Sequence, residues 1–193
     1  MSYSEAPQKM ELNSNEIVDF KNGKKAVFAK FIEVYKDRIY NNVIRFVCNQ
    51  NDAEEITQRV FIKCYQECSK FRGEAKLSVW IFRIAYNESL NFLKKRNKWV
   101  FDEAISHKRR TIQAPIVFEN LERQDKKELI EKAMRILKAD ERWVLILWCY
   151  EDLSYNEIAV YTGFTLSNVK IKLHRAKQQL KQELEPFKNH FYE

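Results

Sequence analysis

Between Asn168 and Lys181 the chain carries Lys170, Lys172, His174, Arg175, Lys177 and Lys181, and no Asp or Glu. Exposed helices usually mix signs, because opposite charges three or four residues apart stabilise each other. A run of one sign gives up that gain and suits a polyanion. Val169, Leu173, Ala176 and Leu180 recur at helical spacing within the run, so an apolar seam lies opposite the charges. Upstream, Ser154 and Glu157 form a capping-box pair ahead of a short helix whose buried face is Ile158 and Ala159. Gly163 marks a tight turn that calls for a positive φ. Ser167 is the predicted N-cap of the basic helix. A small Ala159 where two helices cross, Gly163 in the turn and Val169 locking the second helix match the helix-turn-helix pattern. That unit offers the start of its second helix to base edges and its cations to phosphates. The side opposite the seam carries Lys170, Lys172, His174, Arg175 and Lys177. Two ordinary core helices with a solvated lysine face are the competing reading, and the missing acids count against it.

A second constellation lies earlier. Trp80 and Phe82 fall among Arg72, Lys76 and Arg83, with Tyr86 one turn after Arg83. Aromatic rings interleaved with cations suit stacking on unpaired bases while holding their phosphates. Asn87 and Asn91 share a helical face, and asparagine amides read base edges. Lys94, Lys95, Arg96 and Lys98 close the run. For Trp80 two readings stay open, a core tryptophan and a partly exposed stacking surface.

The elements that must position these residues are helices. The chain has 193 residues, a net charge of +7, 45% hydrophobic residues and only three glycines and three prolines. Too few turn residues are present for many short strands, so the fold class expected is all-α. Residues 1–22 read as a polar, disordered start with a short helix around 16–21. A long amphipathic helix runs from Lys25 through Phe28, Phe31, Ile32, Tyr35, Ile39, Val43, Phe46 and Val47, with Asp37 marking a potential break. Asp52 is the predicted cap of the next helix, whose inner stripe is Ile56, Val60, Cys64 and Cys68. Another helix starts at Leu77 or Ser78 and ends near Arg96. Residues 98–125 lack a sustained period, contain Pro115, and are long for a connection inside one domain, so they read as a flexible linker. Helices follow at 126–137, with Leu129, Ile130, Ala133, Ile136 and Leu137 inward, and at 139–150, with Val144, Leu145, Leu147 and Trp148 buried. The resulting organisation is two small helical domains, 23–97 and 126–185, and a tail at 186–193.

No catalytic arrangement emerges. A glycine-rich phosphate loop, a Ser/His/Asp set and a carboxylate pair in apolar company are all missing, and His107, His174 and His190 are scattered. Cys48, Cys64, Cys68 and Cys149 sit in apolar helical patterns without further metal ligands, so buried free thiols are expected, with no metal and no cofactor. Free thiols without a secretory signal fit a cytoplasmic protein. No apolar stretch is long enough to insert stably in a membrane.

Residues 52–98 resemble region 2, and residues 137–180 region 4, of bacterial extracytoplasmic-function (group 4) sigma factors of the sigma-70 family. The resemblance implies a sigma factor that binds core RNA polymerase and directs promoter recognition and opening, and is not an enzyme. It implies that Asp52, Glu55, Gln58, Arg59 and Ile62 face the β′ clamp helices, and that the region-4 domain docks on the β flap. It implies −10 element contacts by Arg72, Lys76, Trp80, Arg83, Asn87, Asn91, Lys94, Lys95 and Arg96. The −35 element would be read by Ser167, Asn168, Lys170, Lys172, His174 and Arg175. The family also implies an anti-sigma factor as a partner. Three residues depart from its pattern: Arg59 where an acid is frequent, Asn91 where aspartate is common, and Asn168 for a common threonine. The alternative is a free-standing helix-turn-helix regulator dimerising through its N-terminal helices. Such a dimer needs an apolar seam and has no use for the basic-aromatic cluster around Trp80.

Overall fold

The computed structural model describes residues 12–73, 76–106 and 125–191, with side chains over 12–73, 76–96 and 128–188. Among these residues there is no strand. The first helix, α1 (Ser14–Lys21), begins at Asn13, whose side chain and the Glu16 carboxylate cap each other's backbone N–H groups at 3.0 and 2.9 Å. Residues 1–11, expected to be disordered, lie outside the described residues.

The second helix, α2 (Lys25–Val47), is unbroken. Asp37 points to solvent and does not interrupt the stripe of Phe28, Phe31, Tyr35, Ile39, Val43, Phe46 and Val47, all buried. Cys48 ends it in the left-handed region, φ 53°, and Asn49 caps α3 (Gln50–Glu67) by accepting the Asp52 N–H at 3.0 Å. The cap is therefore Asn49 and not Asp52. Asp52 sits in the first turn, where its charge suits the helix dipole. Ile56, Val60, Cys64 and Cys68 are buried as expected. The fourth helix, α4 (Leu77–Ser106), runs well past Arg96. The rest of the expected linker, 107–124, lies outside the described residues.

In the second half come α5 (Asp125–Ile136), α6 (Ala139–Tyr150), α7 (Tyr155–Thr162) and α8 (Leu166–Leu184), then a 3-10 turn at Glu185–Phe191. Three expectations change here. Ile130 and Ile136 are exposed on α5, and Met134 takes the inward place beside Leu129, Ala133 and Leu137. Trp148 is 37% exposed, with the Lys177 amine 3.4 Å from its ring centroid. Of the two tryptophans of α6, Trp143 is the one in the core. Cys149 is exposed, whereas the other three free thiols are buried.

The two halves pack on each other. Trp143 of α6 meets Phe46 of α2 and Tyr86 of α4, both at 5.4 Å between ring centroids. Arg142 is 8% exposed and donates to the carbonyls of Phe46, Arg135 and Leu137. The C-terminal turn of α2 thus has a cation where helix carbonyls lack partners. Glu151, after α6, is 9% exposed and accepts from Arg38 and from Asn42, the latter at 2.8 Å. Ser78 and Tyr161 share a buried hydrogen bond at 2.9 Å.

Candidate nucleic-acid interface

The helix-turn-helix is α7, its turn and α8. Ser154 accepts the Glu157 N–H at 3.3 Å, and Glu157 accepts the Ser154 N–H at 2.9 Å, so the expected capping box forms. Gly163 adopts φ 76° and donates its N–H to Ala159 at 2.9 Å. Any L side chain is strained at that φ. The cap of α8 is Thr165, whose hydroxyl accepts the Asn168 N–H at 3.2 Å. The expected cap, Ser167, is instead inside the first turn, exposed, with its hydroxyl not spent on the cap. Val169, Leu173 and Ala176 are buried against the rest of this half, which fixes the rotation of α8.

That rotation leaves Ser167, Asn168, Lys170, His174 and Arg175 exposed together, as expected. Lys172 differs. Its amine is 2.8 Å from the Asp140 carboxylate of α6 and lies over the Phe164 ring. Asp140 also accepts from the Tyr86 hydroxyl of α4. Partial burial works to raise the Asp140 pKa. The hydrogen bonds from Lys172 and Tyr86, with the charges of Lys172 and Lys94, outweigh it and hold the carboxyl below its ordinary value. Burial, reinforced by the bond to Asp140 and its charge, pushes the Tyr86 phenol up.

Along α4, Lys76, Trp80, Arg83, Asn87, Asn91 and Lys94 recur at three- and four-residue steps and line one side of the helix. All but Trp80 are exposed, as are Arg72, Lys95 and Arg96. Trp80 is half-buried: Phe20 meets it edge-on at 5.9 Å and Phe71 at 5.6 Å. Both readings of Trp80 are therefore partly right. Phe82 and Tyr86, by contrast, are buried against the second half and offer no stacking face in this arrangement. The aromatic part of the expected cluster reduces to Trp80. Arg83 reaches the turn of the second half, where a Cβ built on Gly163 would lie 3.6 Å from its Nη2.

On the outer side of α3, Glu55, Gln58, Arg59 and Ile62 are exposed and Asp52 is half-exposed. Glu55 pairs with Arg59, whose guanidinium lies over the Phe92 ring at 5.6 Å. Asp52 pairs with Arg96, so the candidate polymerase and −10 sets adjoin. Ile62, 57% exposed, is an aliphatic side chain on this polar surface.

Sequence reasoning passed over one residue of α8. Ile171 is 48% exposed on the helix's outer side. Its offset from the buried seam is readable from the spacing, but it carries neither the charge nor the amide that marks its neighbours as DNA contacts.

Two family models match the chain: "Sigma-70 region 2" over residues 31–99 and "Sigma-70, region 4" over residues 127–180. The RNA polymerase sigma factor YlaC of Bacillus subtilis is 30% identical over 78% of this chain and 87% of its own length. The ECF RNA polymerase sigma factor SigW of the same organism is 28% identical over 87% of this chain and 94% of its own. Among solved structures, the sigma factor RpoE of Bartonella quintana, in complex with the anti-sigma factor NepR, has a TM-score of 0.64. It is 24% identical, over 82% of this chain and 96% of that one. CnrH, solved with the cytosolic domain of CnrY, has a TM-score of 0.65 at 16% identity, over 89% of this chain and 96% of its own. Those two likenesses speak to the fold. Regions 2 and 4 in that order, with relatives matched over most of their length, make this chain an extracytoplasmic-function sigma factor of the sigma-70 family, a factor that directs RNA polymerase to promoters.

Proposed function

We propose that the chain divides the work of promoter recognition between two units, 23–97 and 126–185. The outer side of α3, with Asp52, Glu55, Gln58, Arg59 and Ile62, docks on the β′ clamp helices of core polymerase, and the second unit docks on the β flap. The α4 side lined by Lys76, Trp80, Arg83, Asn87, Asn91 and Lys94, flanked by Arg72, Lys95 and Arg96, holds the opened −10 strand. Its cations take phosphates, its amides take base edges, and Trp80 offers a ring for an unstacked base. On α8, Ser167, Asn168, Lys170, His174 and Arg175 meet the −35 duplex, and Lys172 joins them once released from Asp140. The polymerase performs the chemistry, and this chain supplies binding and strand separation. Its place is the cytoplasm, where the polymerase is. An anti-sigma factor as partner is supported by the complex of RpoE with the anti-sigma factor NepR.

The observation that carries this reading is the exposed, acid-free side of α8, set at a fixed rotation by Val169, Leu173 and Ala176. Holoenzyme reconstituted with core polymerase should initiate at promoters that core alone ignores. Lys170→Ala and Arg175→Ala should each weaken −35 duplex binding and lower the slope of log affinity against log salt by about one. Failure to bind core polymerase would sink the reading, and unchanged salt slopes would show that another helix side meets the DNA.

A further inference from the structure

We propose that Ile171 is a specificity residue that recognises the C5-methyl group of a thymine in the −35 duplex, a proposal that rests on α8 being the −35 reader. At about 100° per residue, the seam residues Val169, Leu173, Ala176 and Leu180 lie roughly 140–180° around the helix from Ile171. Ile171 therefore stands at the middle of the outward side. Ser167, Asn168, His174 and Arg175 fall within roughly 60° of it, and Lys170 and Lys172 lie about 100° to either side. The layout is an aliphatic group at the centre, polar and imidazole groups around it, and a lysine on each flank.

That arrangement matches the groove in charge and in chemistry. Lys170 on one flank is exposed and takes a phosphate directly, and Lys172 on the other does so once released from Asp140. The side chain aimed at the groove floor has no hydrogen-bonding atom. The one apolar feature on base edges in the major groove is the thymine methyl. Nothing in the fold asks for an isoleucine here: at 48% exposure it is not a core residue. A solvated helix position gains nothing from a β-branched side chain, which has lower helix propensity than the Lys and Gln around it. The rotation of Ile171 is rigid, because Val169 and Leu173, two residues to either side, are buried.

Replacing thymine with deoxyuracil removes only the methyl and leaves every hydrogen-bonding atom in place. Holoenzyme made with the full chain would first select promoters from random duplex DNA. Each thymine of the selected −35 element would then be replaced singly by deoxyuracil, and affinity measured by competition. Parent holoenzyme should lose about fourfold at one position, or two adjacent ones, the effect of one buried methyl group. Holoenzyme carrying Ile171→Ala should bind the thymine and deoxyuracil duplexes alike, with the thymine duplex weakened to the parent's deoxyuracil level. The proposal is overturned by a selected −35 element with no required thymine. It is equally overturned by a parent indifferent to every replacement, or by sensitivity that survives Ile171→Ala. If scrambling the whole −35 element leaves affinity unchanged, the assignment of α8 fails and this inference falls with it. Loss of methyl sensitivity with the −35 requirement intact separates the two.

Discussion

Asp140 accepts from two groups, the Lys172 amine of its own half and the Tyr86 hydroxyl of the other. Its pKa lies below the ordinary 3.8, so the sign of its pH dependence is fixed. A carboxylate with a lowered pKa adds stability at pH above its unfolded value and loses it as pH falls through the folded one. Asp140→Asn should cost about 1 kcal/mol at pH 7, discounted for partial exposure, and the deficit against the parent should shrink below pH 3.8. Urea midpoints of both proteins across pH would measure it, and a deficit that persists into acid would show that the charge is not what matters. The same substitution frees Lys172, so −35 affinity need not fall with stability.

At the scale of elements, the α7–α8 unit depends on its turn. Gly163 is the left-handed residue that lets α8 start two residues later from the Thr165 cap. Space is not the limit there, since the nearest atom to an added Cβ is the tip of Arg83 at 3.6 Å, an ordinary contact. The limit is φ. Gly163→Ala should cost about 1–2 kcal/mol, while Gly163→Asn should cost less because asparagine tolerates the left-handed region. Denaturant titration orders the three proteins, and equal losses for Ala and Asn would point to crowding instead of backbone strain.

Among the described residues the two halves close on each other. The turn after α6 inserts Glu151 between Arg38 and Asn42, Trp143 sits on Phe46 and Tyr86, and Arg83 reaches the turn at Gly163. The proposed −10 and −35 faces are therefore neighbours. Elements centred about 25 base pairs apart are separated by about 85 Å of B-form duplex at 3.4 Å per step. On the proposed assignment of the two faces, the halves part when both elements are read at once. Glu151→Ala removes the anion that Arg38 and Asn42 share, and breaking a buried pair from one side is strongly destabilising to the contact it serves. The variant should be more extended, with a larger radius of gyration in small-angle X-ray scattering and helix content unchanged. An unchanged radius would mean that the aromatic contacts hold the halves without the ion pair.

Much of this was legible along the chain, because the signals are local. The stripe from Phe28 to Val47 gave α2, the Ser154–Glu157 box and Gly163 gave the helix-turn-helix, and the acid-free run gave the charge of α8. Each depends on residues within one or two turns of each other. The mistakes have an equally physical source. Asn49 and Thr165 displaced Asp52 and Ser167 as caps because several polar residues near a helix start are chemically able to cap, and only backbone geometry selects one. Trp143 rather than Trp148 is buried because both lie in an apolar helix, and the choice between faces belongs to what packs on it, here Phe46 and Tyr86 from the other half. The sequence alone determined the family, the helices and the basic face of α8. Tertiary structure alone decided that Phe82 and Tyr86 are covered and that Lys172 is held by Asp140, because those outcomes depend on contacts between residues far apart in the chain.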